Sequence, residues 1–199
     1  MSYRNGDRMF DLGFKTMAQL YRIRDLLIPT VARRVESLGI QPGMTVVDYG
    51  CGPGRYLPHY SRKVGPQGRV YAVDIHELAM QAEQRQIERH KLENVTPVLA
   101  QGYNSGLPDH IAHLVAAFDM FFFVQDPTAL LREFQRIIRP EGRLVLNDGF
   151  QPRETTLAKI AAAGGWKIVE EGRELLVCKP VVQESSALDE NPYQSSESS

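Results

Sequence analysis

The sequence predicts an α/β protein built on a doubly wound sheet, and three observations carry that prediction. Residues 45–47 form a β-branched run suited to a buried strand, and Gly50, Gly52 and Gly54 then turn the chain sharply into a helix. A second apolar run, Arg69-Val70-Tyr71-Ala72-Val73-Asp74, ends in an acid 20 residues after Gly54. Beyond it, short apolar runs alternate with segments of helical periodicity as far as residue 163.

Two helices are expected before the first strand. Phe10, Phe14, Met17 or Ala18, and Tyr21 recur at helical spacing, and Val31, Val35 and Leu38 repeat the pattern after a break at Pro29. Gly39 closes the second helix, and Gln41-Pro42-Gly43 turns the chain into the sheet. Packing on the domain accounts for both helices. The mixture of apolar residues with Lys15, Arg22 and Arg24 over residues 14–28 also suits a helix lying on a membrane surface, against which Asp25 and the modest charge weigh.

After the glycines, residues 55–64 read as a helix in which Pro58 is tolerated within the first turn, and Gly65-Pro66-Gln67-Gly68 as a turn. Residues 76–92 form a polar helix with a weak apolar stripe, leaving His76 and His90 in solvent. Residues 95–100 are a third strand, which Pro97 assigns to the sheet edge. Residues 112–117 make the fourth, with His113 as a core or interface residue and residues 121–124 in the following loop.

Asp126-Pro127 opens a helix as N-cap and first residue, and Leu130, Leu131, Phe134, Ile137 and Ile138 supply its buried stripe. Residues 139–143 lead into a strand over 144–148. A last helix spans 153–163, a strand 166–170, a tight turn Glu171-Gly172, and a final strand 174–178.

Composition narrows the partners. With 199 residues, 43% hydrophobic content and a net charge of −1, one main globular domain is expected, without the charge excess of a nucleic-acid binder. Residues 181–199 read as a disordered tail. Four acids (Glu184, Asp189, Glu190, Glu197), six serines and no Lys or Arg fall within 183–199, so the rest of the chain carries +3. No apolar stretch reaches the length of a membrane span and residues 1–11 lack a secretory pattern, so a cytoplasmic protein is expected. Cys51 and Cys178 are too few for a four-ligand zinc site and read as reduced thiols; no metal is assigned.

The glycine spacing selects the cofactor. A dinucleotide loop reads G-x-G-x-x-G, whereas here the third glycine falls at 54 and Arg occupies 55. Val46-Val47-Asp48-Tyr49-Gly50-Cys51-Gly52-Pro53-Gly54 resembles the first motif of class I S-adenosylmethionine-dependent methyltransferases, and the similarity extends over residues 43–179. A second block, A-L-L-R-E-F-Q-R-I-I-R-P-E-G-R-L-V-L, is similar to the L-R-E-x-x-R-x-L-K-P-G-G run of the same enzymes.

The resemblance implies a three-layer α/β/α Rossmann-like methyltransferase fold, with a seven-stranded, mostly parallel sheet whose last strand is antiparallel. It implies S-adenosyl-L-methionine as cofactor, bound over residues 43–180 and covered by N-terminal helices over 1–42, with Tyr21, Arg22 and Arg24 near the acceptor. Asp48, Tyr49, Gly50, Cys51, Gly52 and Gly54 would form the cofactor loop, with backbone amides opening the next helix toward the ligand. Asp74 would accept the ribose hydroxyls and Ile75 would lie on the adenine. Gln101-Gly102-Tyr103 stands where the family commonly has an Asp, and the Gln101 amide can take over the contact to the adenine amino group. The backbone of Ala117 and Phe118 would meet the methionine part, and Asp119 would point into the site as the group able to take a proton, with Asp148, His113 or Tyr21 behind it.

Phe118, Met120, Phe121, Phe122 and Phe123 favour a small hydrophobic or aromatic acceptor such as a quinol or phenol. Three alternatives stand beside this reading. Asp119, Asn147 and Asp148 resemble, in altered order, the magnesium ligands of catechol-type O-methyltransferases. The chain could bind the cofactor without catalysis, or be a nicotinamide dehydrogenase, which the glycine spacing disfavours.

Overall fold

The computed structural model describes residues 7–27 and 30–181, so the tail expected over 181–199 lies outside the described residues except for Val181. In chain order the elements are α1 (Asp11–Leu27), α2 (Thr30–Ser37), β1 (Thr45–Tyr49), α3 (Leu57–Val64), β2 (Arg69–Asp74), α4 (Glu77–His90), β3 (Val95–Leu99) and β4 (Ala112–Ala117). A single 3₁₀ turn at Phe121–Phe123 then leads to α5 (Pro127–Ile137), β5 (Ile138–Leu146), α6 (Arg153–Ala163), β6 (Trp166–Glu171) and β7 (Leu176–Pro180). The seven strands form one sheet in the order β3-β2-β1-β4-β5-β7-β6. β7 enters antiparallel between β5 and β6, while the pairs from β3 through β5 are all parallel.

Both faces of the central strands are buried, which is why their apolar runs are continuous. Val47, Val115 and Leu144 pack beneath α5 and α6 on one side, against Leu130, Phe134 and Ile160. Val46, Leu114 and Val145 point the other way, toward Val31, Val35, Leu57 and Tyr60 of α2 and α3. Strand order reverses between β1 and β4, so the crevice at their carboxyl ends is the switch point where such sheets take ligands.

Several boundaries differ from the sequence reading, each for a local reason. α3 starts at Leu57 because residues 52–56 are spent on turns, with Gly54 N–H on Cys51 O at 3.1 Å and Leu57 N–H on Gly54 O at 3.3 Å. β5 begins at Ile138 and absorbs Pro140 in a bulge, its register against β4 jumping between the Ala112 and Leu114 pairs. β7 begins two residues late because the hairpin closes from Gly172 N–H to Leu175 O at 2.9 Å. His76, expected in solvent, is 2% exposed: its Nδ1 accepts from Leu78 N–H at 3.1 Å and caps α4. His113 is structural, accepting from Thr45 N–H at 2.9 Å through Nδ1.

Glu133 on α5 holds the approach to β4. Its Oε1 accepts from Ser105 N–H (2.9 Å), Ser105 Oγ (2.5 Å) and Arg136 Nη2 (2.8 Å), and the residue is 8% exposed. Glu133→Ala, which leaves that buried amide, hydroxyl and guanidinium without their acceptor, is expected to cost about 3 kcal/mol in urea unfolding.

Candidate functional site

A cavity of about 630 Å³ opens at the switch point, within the range of small-molecule sites. The loop after β1 forms its floor, the ends of β2 and β4 its sides, and α1 its cover: Met17, Tyr21, Asp48, Gly50, Gly52, Asp74, Ile75 and Asp119 all reach it. Most of the wall is carbon, from Phe10, Leu12, Leu20, Phe118, Met120, Phe122, Phe123 and Phe150. Phe121, expected among the lining residues, is fully buried in the core instead.

The glycine loop is built differently from the expected cradle of outward amides. Gly50 N–H and Cys51 N–H both donate to Val73 O, at 2.7 and 3.2 Å. Gly52 N–H donates to Asp74 Oδ2 at 2.8 Å, and Gly54 N–H turns back onto Cys51 O. These four amides fasten the loop to β2 and to itself and are not free for a pyrophosphate, so hydrogen bonding disfavours the dinucleotide reading along with spacing. Glycine is required for another reason. Gly50 and Gly52 sit at φ +72° and +54°, and a Cβ at Gly50 would meet Met120 Cγ at 2.8 Å.

Three carboxylates lie in or beneath this loop. Asp74, 9% exposed, also accepts from His76 N–H through Oδ1 at 2.9 Å; burial raises its pKa while the backbone amides of Gly52, His76 and Ile75 oppose the rise. Asp48, 2% exposed, has no hydrogen-bond partner on Oδ2, and burial, reinforced by the Asp74 charge, pushes its pKa up to about 8. Glu83 of α4 is fully buried, accepts from Cys51 Sγ at 3.0 Å, and is likewise raised by burial to about 8.

On the opposite side, Asp119 adopts a left-handed backbone at φ +57°. A reciprocal pair fixes it there: Asp119 N–H donates to Asn147 Oδ1 at 2.8 Å, and Asn147 Nδ2 donates to Asp119 Oδ1 at 2.7 Å. The other carboxylate oxygen lies 3.9 Å from Arg55 Nη1. Arg55 in turn grips both oxygens of Asp25 at 2.6 Å and lies 4.2 Å over the Tyr21 ring, tying α1 to the glycine loop. Burial, then the Asp119 charge, raises the Tyr21 pKa. Asp148 turns away to Arg153 at 2.8 and 3.0 Å. Asp119, Asn147 and Asp148 are thus engaged in separate pairs, not gathered as a three-donor set for a cation.

Of the other predicted residues, Tyr49, Cys51, Gly102, Tyr103 and Phe118 reach the wall, and Gly54, Gln101 and Ala117 do not. Gly54 turns the chain at φ +72° against Leu57. Gln101 is exposed because its backbone closes a narrow turn with Asn104, which carries the side chain out of the crevice. Ala117 is fully buried in the core below. Arg22 and Arg24, expected near the acceptor, are exposed and off the wall. Arg55, Glu83, His76 and Phe150 went unassigned to the site, since each acquires its place through a partner distant in sequence.

Residues 47–146 match the family described as "Methyltransferase domain", just over half of the chain. The chain belongs to that family. Its cofactor is S-adenosylmethionine, and the methyltransferase domain is similar to curated enzymes of more than one kind. It is 30% identical over 126 residues to a ubiquinone/menaquinone biosynthesis C-methyltransferase of Hahella chejuensis, covering 63% of this chain and 51% of the relative. A nocamycin O-methyltransferase of Saccharothrix syringae is 28% identical over 124 residues, 62% of this chain and 44% of that one. The chain therefore spans about half the length of these relatives. In fold, the methyltransferase domain superposes on a SAM-dependent methyltransferase from Aquifex aeolicus with a TM-score of 0.71 at 24% identity, over 88% of this chain and all of the other. Among the described residues no helix is long and apolar enough to cross a membrane.

The residues present fit the cofactor. A buried carboxylate oxygen without a partner on Asp48, a second buried acid on Asp74 at the cavity, and a loop with four of its amides already used suit a cationic nucleoside lacking phosphate.

Proposed function

We propose that the chain transfers a methyl group from S-adenosylmethionine to a small hydrophobic or aromatic acceptor, a quinol or phenol in the first instance. The observation that carries this reading is a carbon-lined cavity, continuous from the glycine loop to its rim, in which Asp119 is a carboxylate held by Asn147 across from the two acids of the loop side. The similarity to a quinone-pathway C-methyltransferase and to an O-methyltransferase supports a lipophilic acceptor, methylated on carbon or oxygen.

When bound, the cofactor supplies an electrophilic sulfonium methyl. The remaining work falls to this chain. Asp74 holds the ribose hydroxyls with the lone pairs its two amides leave free, Ile75 covers the adenine, and Asp48 faces the cationic end. α1 covers the site, Met17 and Met120 exclude water above the glycines, and Asp119 takes the proton of an acidic acceptor. We assign no contact to Gly54, Gln101 or Ala117. A cytoplasmic location rests on the two free buried thiols, Cys51 and Cys178.

Asp119→Asn keeps the shape of the pair with Asn147 while removing the charge. It is expected to lower kcat toward phenolic acceptors about 100-fold while S-adenosylhomocysteine binding stays within about threefold. Labelled methyl transfer to a panel of quinols and phenols, with calorimetry alongside, checks both. Cofactor binding without transfer to any acceptor would favour a silent binding protein. Activity lost to chelator would favour the magnesium reading.

A further inference from the structure

We propose that the outer face of α1 is a docking surface for an anionic lipid bilayer, onto which the mouth of the cavity opens. Leu12, Thr16, Leu20 and Ile23 recur at helical spacing along one side of α1, the first three lining the cavity, and the three apolar ones are 70, 62 and 48% exposed. Of the α1 side chains described, Phe14 alone is buried, its ring centroid 4.7 Å from that of His76 and tilted by 37°. Among the described side chains, three aliphatic residues of the helix thus stay exposed in the folded chain.

Charge says what covers it. Lys15 and Arg22, seven residues apart, run along one flank of the apolar stripe, and Arg24 stands on the other; all three are exposed. Both acids of α1 are paired, and Asp25 also lies 3.9 Å from Arg24, which stands 4.8 Å over the Tyr21 ring. Asp11 pairs with Arg8 at 3.3 Å at the helix start, and Asp25 faces inward to Arg55. An apolar centre between cationic flanks is what a helix lying in the headgroup layer of an anionic membrane presents. A second copy of the chain fits less well, because pairing like faces would bring Lys15, Arg22 and Arg24 against their own counterparts.

Continuity with the cavity adds a second, independent reason. Phe10, 72% exposed, and Phe150, 90% exposed, line the cavity together with Leu12 and Leu20. Apolar side chains therefore line the cavity from the glycine loop to the exposed leucines of α1. A lipophilic molecule leaving a bilayer could enter without crossing water. Only this last consequence rests on the proposed methyl transfer; docking itself does not.

The test is co-sedimentation of the full chain with vesicles. Binding to phosphatidylglycerol vesicles, absent with phosphatidylcholine alone and weakening as salt is raised, is expected. Ile23 and Arg22 lie off the cavity wall, so they can be changed without touching the site. Ile23→Asp is expected to lower the partition coefficient about tenfold, and Arg22→Glu about fivefold or more. Both should keep wild-type thermal unfolding and S-adenosylhomocysteine binding. Absence of binding to the anionic vesicles, or binding that neither variant weakens, overturns the proposal. So does a wild-type dimer in sedimentation velocity that Ile23→Asp splits. Methyl transfer to a detergent-dispersed quinol without vesicle binding would sink the docking surface alone, whereas vesicle binding without cofactor binding would sink the catalytic reading alone.

Discussion

Asp74→Ala is expected to abolish measurable binding of S-adenosylmethionine and of S-adenosylhomocysteine, raising Kd by about 100-fold or more through the loss of two charge-assisted hydrogen bonds. Two effects combine in this one substitution. The carboxylate that would accept the ribose hydroxyls disappears, and so does the acceptor for Gly52 N–H at 2.8 Å and His76 N–H at 2.9 Å. Each buried amide left without a partner costs about 1–3 kcal/mol, so the fold should also lose about 2–4 kcal/mol. Asp74→Asn separates the two, because its single carbonyl keeps one amide partner and loses the charge. The conservative variant should fold more stably than Asp74→Ala yet bind the cofactor nearly as poorly. Calorimetry that finds S-adenosylhomocysteine bound with wild-type affinity by both variants would remove Asp74 from the site.

Why Asp74 could be found in the sequence, while its amide partners could not, is a matter of range. β1, β2, β4 and α6 lie where hydrophobic period and β-branching put them, because a strand buried on both faces must be apolar throughout. The acid at the end of β2 follows from the same frame. Hydrogen bonds to the loop do not, since Gly50 N–H reaching Val73 O joins residues brought together only by the parallel pairing of β1 with β2. His76 illustrates the same limit: polar by composition, it is buried because Phe14 comes over it from α1. Gln101 shows the converse, a residue in the right place along the chain that a local turn with Asn104 removes from the crevice. Sequence patterns report which face of an element is buried, and the site is assembled from contacts between elements.

Asp48→Asn should change stability and binding in opposite directions. Burial holds the Asp48 carboxyl at about 8 in the folded chain, against an ordinary value of 3.8. The folded state therefore keeps a proton that the unfolded state has released, and stability declines as pH rises from the unfolded pKa toward about 8, then levels off. Glu83, raised in the same sense, adds to the same slope. Asparagine has no proton to lose, so the variant should be more stable than wild type by several kcal/mol at pH 8 and equal to it near pH 4 in urea unfolding. A cationic ligand in the cavity reverses the preference, because its charge favours the ionised carboxylate. Wild-type binding of S-adenosylmethionine should accordingly release a proton at pH 6–7 and tighten as pH rises toward about 8. In Asp48→Asn that part of the proton release and pH dependence should vanish, along with about tenfold in affinity. Calorimetry in buffers of different ionisation enthalpy reads the proton count directly, and an equal release by both proteins would show that Asp48 is not the group that yields it. The same buried acid would then weaken the empty fold and strengthen its hold on a sulfonium, which is the trade expected of a site kept poised for a cation.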